Sequence, residues 1–180
     1  MATTFWSNKN SQPKRQHRFL FSFGKRGTDE QLPSWIVSVA KRPSIEVSTV
    51  EHQYINHTFK FPGRAKWQDI NVTLKDPLTP DASFQLYKIL EAAGYEPPKK
   101  GPADKSLKKS FTKKSFSDTL GDIKIQALDA QGNVVETWTL NNPIITSIDW
   151  GNFDYGSEEL VELTLNIAYD WAEIEVARTN

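Results

Sequence analysis

The eleven residues from Val161 to Trp171 alternate without a break. Val161, Leu163, Leu165, Ile167, Tyr169 and Trp171 hold every odd position, and Glu162, Thr164, Asn166, Ala168 and Asp170 every even one. A period of two over this length marks a β-strand with one face in a core and the other in a polar setting. It predicts a single strand of roughly 35 Å that buries Trp171 at its far end.

Shorter runs of the same kind precede it. Phe19, Phe21 and Phe23 alternate with polar residues, Trp35 to Val39 is rich in strand formers, and Ile70, Val72 and Leu74 share one face. An extended stretch runs from Pro43 to Phe61, where Pro62-Gly63 signals a turn. Ile123–Leu128 and Val134–Leu140 flank Asp129-Ala130-Gln131-Gly132-Asn133, a hairpin by composition, and Ile144 to Trp150 adds a short strand. One helix is predicted from near Thr79, with Thr79 as N-cap and Pro80 in the first turn, ending at Gly94. Its stripe is Ala82, Leu86, Ile89, Leu90 and Ala93, and Phe84 and Tyr87 lie off it. With eight or so strands against one helix, the fold class is mostly β: an antiparallel β-sandwich or small β-barrel with one flanking α-helix. At 180 residues this is one domain: an arm at 1–16, a β domain at 17–175 with a Lys-rich loop insertion at 97–118, and a tail at 176–180.

Composition removes several functions. With no cysteine, thiol catalysis, iron–sulfur ligation and cysteine-type zinc sites are excluded. No phosphate-binding glycine loop or nucleophile elbow occurs, and His52 and His57, five apart in an extended segment, face opposite ways. The sequence reads as a non-enzyme without cofactor or metal. No run of ~18 apolar residues is present to anchor it in a membrane, and its start lacks the apolar core of a signal peptide.

Charge is balanced in sum, with 22 basic and 22 acidic residues, but not in space. Residues 1–98 carry 13 basic and 9 acidic side chains, residues 99–116 seven Lys and one Asp, and residues 117–180 two basic and 12 acidic. A basic middle and an acidic end favour association between copies of the chain. The basic cluster Lys99, Lys100, Lys105, Lys108, Lys109, Lys113 and Lys114, interleaved with Phe111 and Phe116, also permits a second reading, a soluble nucleic-acid-binding β-module that stacks bases on its aromatics.

Three stretches resemble the tail tube proteins of contractile-tailed (myovirus) bacteriophages. They are Phe5-Trp6 with Pro13-Lys14-Arg15 and Arg18-Phe19-Leu20-Phe21; Glu51 to Phe59 through Phe61-Pro62-Gly63-Arg64 and Trp67; and Leu120 to Ile125, then Asp154 to Leu160 and Ala168-Tyr169-Asp170-Trp171. The resemblance implies a tail-tube-like fold whose subunits form hexameric rings, stacked into a tube around a channel for genome delivery and clothed by a contractile sheath. It implies as partners the chain itself, the sheath protein, and baseplate and tail terminator proteins. Double-stranded DNA would pass through the lumen without specific binding. The location implied is the virion tail, assembled in the host cytoplasm. A baseplate tube, tube initiator or terminator of the same fold is the alternative within the family.

On that reading Glu162, Thr164, Asn166 and Asp170 are candidates for the lumen wall. Phe5, Trp6, Lys14, Arg15, Glu51, Tyr54, His57, Arg64, Phe84 and Tyr87 are candidates for contacts between subunits or rings. The Lys cluster is a candidate for an outer, sheath-facing loop.

Overall fold

The computed structural model describes residues 13–23, 32–97 and 110–177. Ten strands and two helices follow one another along it. Phe19–Ser22 (β1), Ile123–Leu128 (β6), Val134–Asn141 (β7) and Trp171–Val176 (β10) form one four-stranded sheet in the order β1-β6-β7-β10. Val37–Ala40 (β2), Ile70–Lys75 (β5), Glu162–Ala168 (β9) and Ile144–Asp149 (β8) form a second, in the order β2-β5-β9-β8. Ser44–Tyr54 (β3) and His57–Gln68 (β4) pair only with each other. All pairings are antiparallel, and the two larger sheets make an open sandwich rather than a closed barrel.

The core follows from the alternation. In the second sheet Ile70, Val72 and Leu74 lie opposite Ile167, Leu165 and Leu163, all six fully buried. The first sheet contributes Phe21, Ile123, Ile125 and Leu140. The helix Ala82–Ala92 (α1) adds Ala82, Leu86 and Ile89, so its buried stripe is the one expected. It begins later than predicted: its N-cap is Asp81, whose carboxylate accepts from the Phe84 amide at 2.7 Å. The 129–133 turn forms as composition suggests, the Asp129 carboxylate accepting from the amides of Gln131 and Asn133 at 2.8 Å each.

Four expectations change. The stretch after Pro43 is not one extended segment but a hairpin that reverses at Ile55-Asn56, and Pro62-Gly63 lies inside β4 instead of forming a turn. A second helix, Lys113–Leu120 (α2), lies within the segment read as a loop insertion. It starts at a Thr112–Ser115 capping box and buries Phe116 and Leu120 in the same core. The long last strand is two: β9 ends at Ala168, and the chain bends at Tyr169-Asp170 into the other sheet, where Trp171 pairs with Asn141. The bend also reverses the parity. Leu140 is buried and faces Ala172, so Trp171 falls on the opposite, outer side and is 43% exposed, its indole N–H donating to Glu173 at 2.9 Å. Finally, the two histidines sit on opposite strands of the hairpin: His52 faces Phe59 and His57 faces Tyr54, which brings both onto one side.

The parity reversal makes a direct prediction. Leu165→Ala should cost about 2–5 kcal/mol, because Leu165 is fully buried between the sheets. Trp171→Ala should cost about 1 kcal/mol or less. Denaturant unfolding of the two variants beside the parent checks the order.

Candidate assembly surfaces

The first surface is the β3–β4 hairpin. Its two strands hold 11 and 12 residues, a tongue of roughly 35–40 Å. Nearly every residue of it is exposed, including Ile45, Val47, Val50, Tyr54, Ile55, Phe59 and Phe61. A lone two-stranded ribbon is marginal in water and does not carry such side chains without a partner. Cross-strand pairing shows how they are arranged. Ile45 faces Trp67 and Val47 faces Ala65 on one side; Val50 faces Phe61 and Tyr54 faces His57 on the other. Between Val47 and Thr49 the register shifts by an extra residue in β4, a bulge at Gly63-Arg64. There Ser48 Oγ accepts from the Arg64 amide at 2.9 Å, and a Cβ on Gly63 would lie 2.4 Å from that same Oγ. The apolar side therefore changes face part-way along: at the root Trp67 lies against Tyr169 of its own domain, with ring centroids 6.0 Å apart, and beyond the bulge the opposite side is apolar. Glu51, Tyr54, His57 and Arg64 all stand on this hairpin, with Glu51 3.5 Å from Lys60.

The second surface is the outer face of the β2-β5-β9-β8 sheet. Three of the four candidate wall residues, Glu162, Thr164 and Asn166, lie there, opposite Lys75, Thr73 and Asn71. Asn71 donates to Asn166 at 3.1 Å and Asn166 to Ser147 at 2.8 Å, a ladder across three strands, and Lys75 is ion-paired with Glu162. Asp170 stands apart from them at the bend between the sheets. It accepts from Lys113 Nζ at 2.5 Å and from Asn142 at 2.8 Å. Those bonds, Lys113 first, hold its carboxyl below the usual carboxylate range, so it stays ionised into mild acid.

The remaining candidates divide. Lys14 forms an ion pair with Glu136, a carboxylate only 3% exposed that also accepts from Arg42 at 3.1 Å and from the Trp138 indole at 2.6 Å. This buried acid, which sequence reading missed, ties the start of the described chain to the root of the hairpin. Only the position of Glu136 among apolar residues in a strand that turns inward hints at it. Arg15 lines the cleft beside it. Phe84 is exposed, with Lys88 Nζ 4.7 Å above its ring. Tyr87 belongs to a chain of rings, Tyr87–Tyr95–Phe111–Phe116, with neighbouring centroids 4.9–6.3 Å apart. Phe5, Trp6, Lys99, Lys100, Lys105, Lys108 and Lys109 fall outside the described residues. Lys114 and Lys113 lie in α2. Phe116 is in the core and Lys113 is held by Asp170, so the nucleic-acid reading loses one of its interleaved aromatics and one of its cations, while Phe111, stacked on Tyr95, stays exposed.

A third surface was not foreseen. The loop from Trp150 to Val161 exposes Phe153, Tyr155 and Leu160, Phe153 to 93%. It is nonetheless braced from within. The Gly151 amide donates to Asp149 at 3.0 Å, the Gly156 amide to Asp154 at 2.8 Å and the Glu159 amide to Ser157 at 3.2 Å. Gly151 sits at φ +73 with Glu162 O 2.3 Å from where a Cβ would be, so no other residue fits there. Residues 149–162 contain five acidic side chains and no basic one, a count visible in the sequence.

The T4-like virus tail tube protein gp19 family matches residues 15–173. The chain belongs to this family. No curated protein sequence matches it. Among solved structures it is similar to the tube-terminating cap of the anti-feeding prophage, at 23% identity over 98% of this chain and 100% of that one, with a TM-score of 0.66. It is likewise similar to a chain of the extended sheath–tube complex of PVC, an extracellular contractile injection system (18% identity, 98% of this chain and 100% of that one, TM-score 0.66). The PVC sheath/tube terminator resembles it at 18% identity over 92% of this chain and 98% of that one, with a TM-score of 0.64. These likenesses share the sandwich described above, and family members are structural proteins of tail tubes.

Replacing Glu136 by Ala leaves the Trp138 N–H, in a part-buried setting, and the cations of Lys14 and Arg42 without their acceptor. A loss of about 1–3 kcal/mol is expected, read as a lower midpoint in denaturant with an unchanged slope.

Proposed function

We propose that the chain is the repeating subunit of a tail tube, in which hexameric rings stack coaxially around a channel inside a contractile sheath. The observation that carries this reading is the amount of structure left without a partner. A hairpin of two long strands shows its apolar side chains to water, and among the described residues both sheets end in strands paired on one side only: β1 and β10, β2 and β8. Open edges invite pairing with another chain. An edge of one kind meeting an edge of the other kind is a head-to-tail contact, which closes into a ring when the rotation allows. Joining β8 of one subunit to β2 of the next would make the second sheet continuous around the ring. Its outer face, with Glu162, Thr164 and Asn166, then lines the bore.

That wall suits a conduit. Its amides bond to one another and its lysine is paired with Glu162, so no free cation among these residues is offered to hold a phosphate backbone in transit. Double-stranded DNA is the cargo this reading assigns, with the sheath protein outside, and baseplate and terminator proteins at the ends. The particle is a phage tail or a related extracellular injection particle, assembled in the host cytoplasm.

The test is direct. Purified full-length protein should give six-subunit assemblies by native mass spectrometry and annuli or hollow rods of uniform width by negative-stain microscopy. A monomer at high concentration would overturn the reading.

A further inference from the structure

We propose that the 150–161 loop crosses the subunit boundary within a ring and closes over Trp35 of the neighbouring copy, a clasp beside the join of β8 to β2. The proposal deepens the tube reading and rests on it.

A short turn sets Trp35 in place. Pro33 leads into a single 3-10 turn at Ser34–Ile36, directly ahead of β2. The turn buries Ile36 completely and leaves Trp35 65% exposed. Tryptophan is enriched among the few residues that carry most of the energy of an interface. On the other side of the clasp, the loop shows Phe153, Tyr155 and Leu160. Its internal hydrogen bonds, and Gly151 wedged against Glu162, hold these groups out before any partner arrives, which lowers the ordering cost of docking.

The strand registers bring the two together. Val37 stands opposite Leu74 and Leu74 opposite Leu163, so β2 starts at the Leu163 end of the second sheet. Asp149, the last residue of β8, stands opposite Thr164, so the loop leaves β8 at that same end. Inside one subunit β5 and β9 separate the two edges, three strand spacings or roughly 14 Å. The described residues lining the hollow beneath the loop are Lys75, Thr164 and members of the 149–162 stretch. Around a ring the edges become neighbours. β2 is antiparallel to β5, β5 to β9 and β9 to β8, so β8 of one subunit meets β2 of the next antiparallel, end beside start. The residues ahead of β2 are then level with those that follow β8, and Trp35 lies beside the loop.

The edges also need the help. β2 has four residues and β8 six, and the register shifts between Val37 and Val39 in one and between Ile145 and Ser147 in the other. Short, irregular edges offer few ladder hydrogen bonds to a partner, and the apolar contact beside them supplies the rest of the hold.

With no cysteine in the chain, introduced thiols report alone. Full-length chains bearing S34C, N152C or both, which leave Trp35 and the loop's aromatics intact, are assembled, treated with a short bis-maleimide and run on a denaturing gel. The double variant should give a ladder that ends at six chains, because a contact within a ring closes on itself. Each single variant should stay monomeric on the gel, and a mixture of the two should stop at dimers. In a second arm, W35A should keep the circular dichroism of the parent and raise about tenfold or more the concentration at which six-subunit assemblies give way to monomers. A ladder running past six would overturn the proposal by placing the loop between rings, and dimers from either single variant would overturn it by pairing like with like. Rings of the double variant without links between chains, or undiminished assembly of W35A, would overturn it and leave the tube reading standing. Monomers throughout, in the parent as well, would bring down both.

Discussion

Everything that projects from this molecule is held by the pairing of β5 with β9. Ile70, Val72 and Leu74 against Ile167, Leu165 and Leu163 form a fully buried ladder, and each of the two strands leads at its N-terminal end into a projecting feature. β5 continues back through Asp69 into the hairpin. β9 begins at the acidic loop and ends at the bend that carries the chain into the other sheet. Burial of these six side chains, at about 1.5–3 kcal/mol each, is thus also what fixes the two protruding features relative to one another. Thr164 and Asn166, the candidates for the wall, occupy the reverse side of the same strand, so core, candidate wall and protrusions are set by one register.

Much of this was legible because side-chain period is a local property. The strands of both sheets, the stripe of α1 and the Asp129 turn follow from residues within a few positions of each other. The misreadings came where a distant part of the chain decides. Nothing near Trp171 states that Asn141 will capture the chain and draw it into the other sheet, so continued alternation looked like one strand. Nothing near Lys113 states that Asp170 will receive it and that Phe116 has a place in the core, so a polar run containing a helix looked like a loop. At the hairpin the sequence misled differently. Pro62-Gly63 has turn composition, but Ser48 on the facing strand uses the space that glycine leaves and turns it into a bulge. The wall candidates Glu162, Thr164 and Asn166 share a face because they share a strand; Asp170 lies past the bend and has a different set of neighbours.

Two kinds of polar surface are kept distinct. On the second sheet, amides and an ion pair satisfy each other within the chain, which leaves a face with little reason to bind. In the loop between β8 and β9, Asp154, Glu158 and Glu159 stand among the exposed side chains of Phe153, Tyr155 and Leu160.

The bulge at Gly63 has a consequence for the free subunit. At the hairpin root the greasy side is turned homeward, where Trp67 meets Tyr169; past the bulge it is turned away. Folding the tongue down onto its own body would therefore press polar groups against the domain and leave Phe59 and Phe61 still wet. Among the described residues nothing covers that tip.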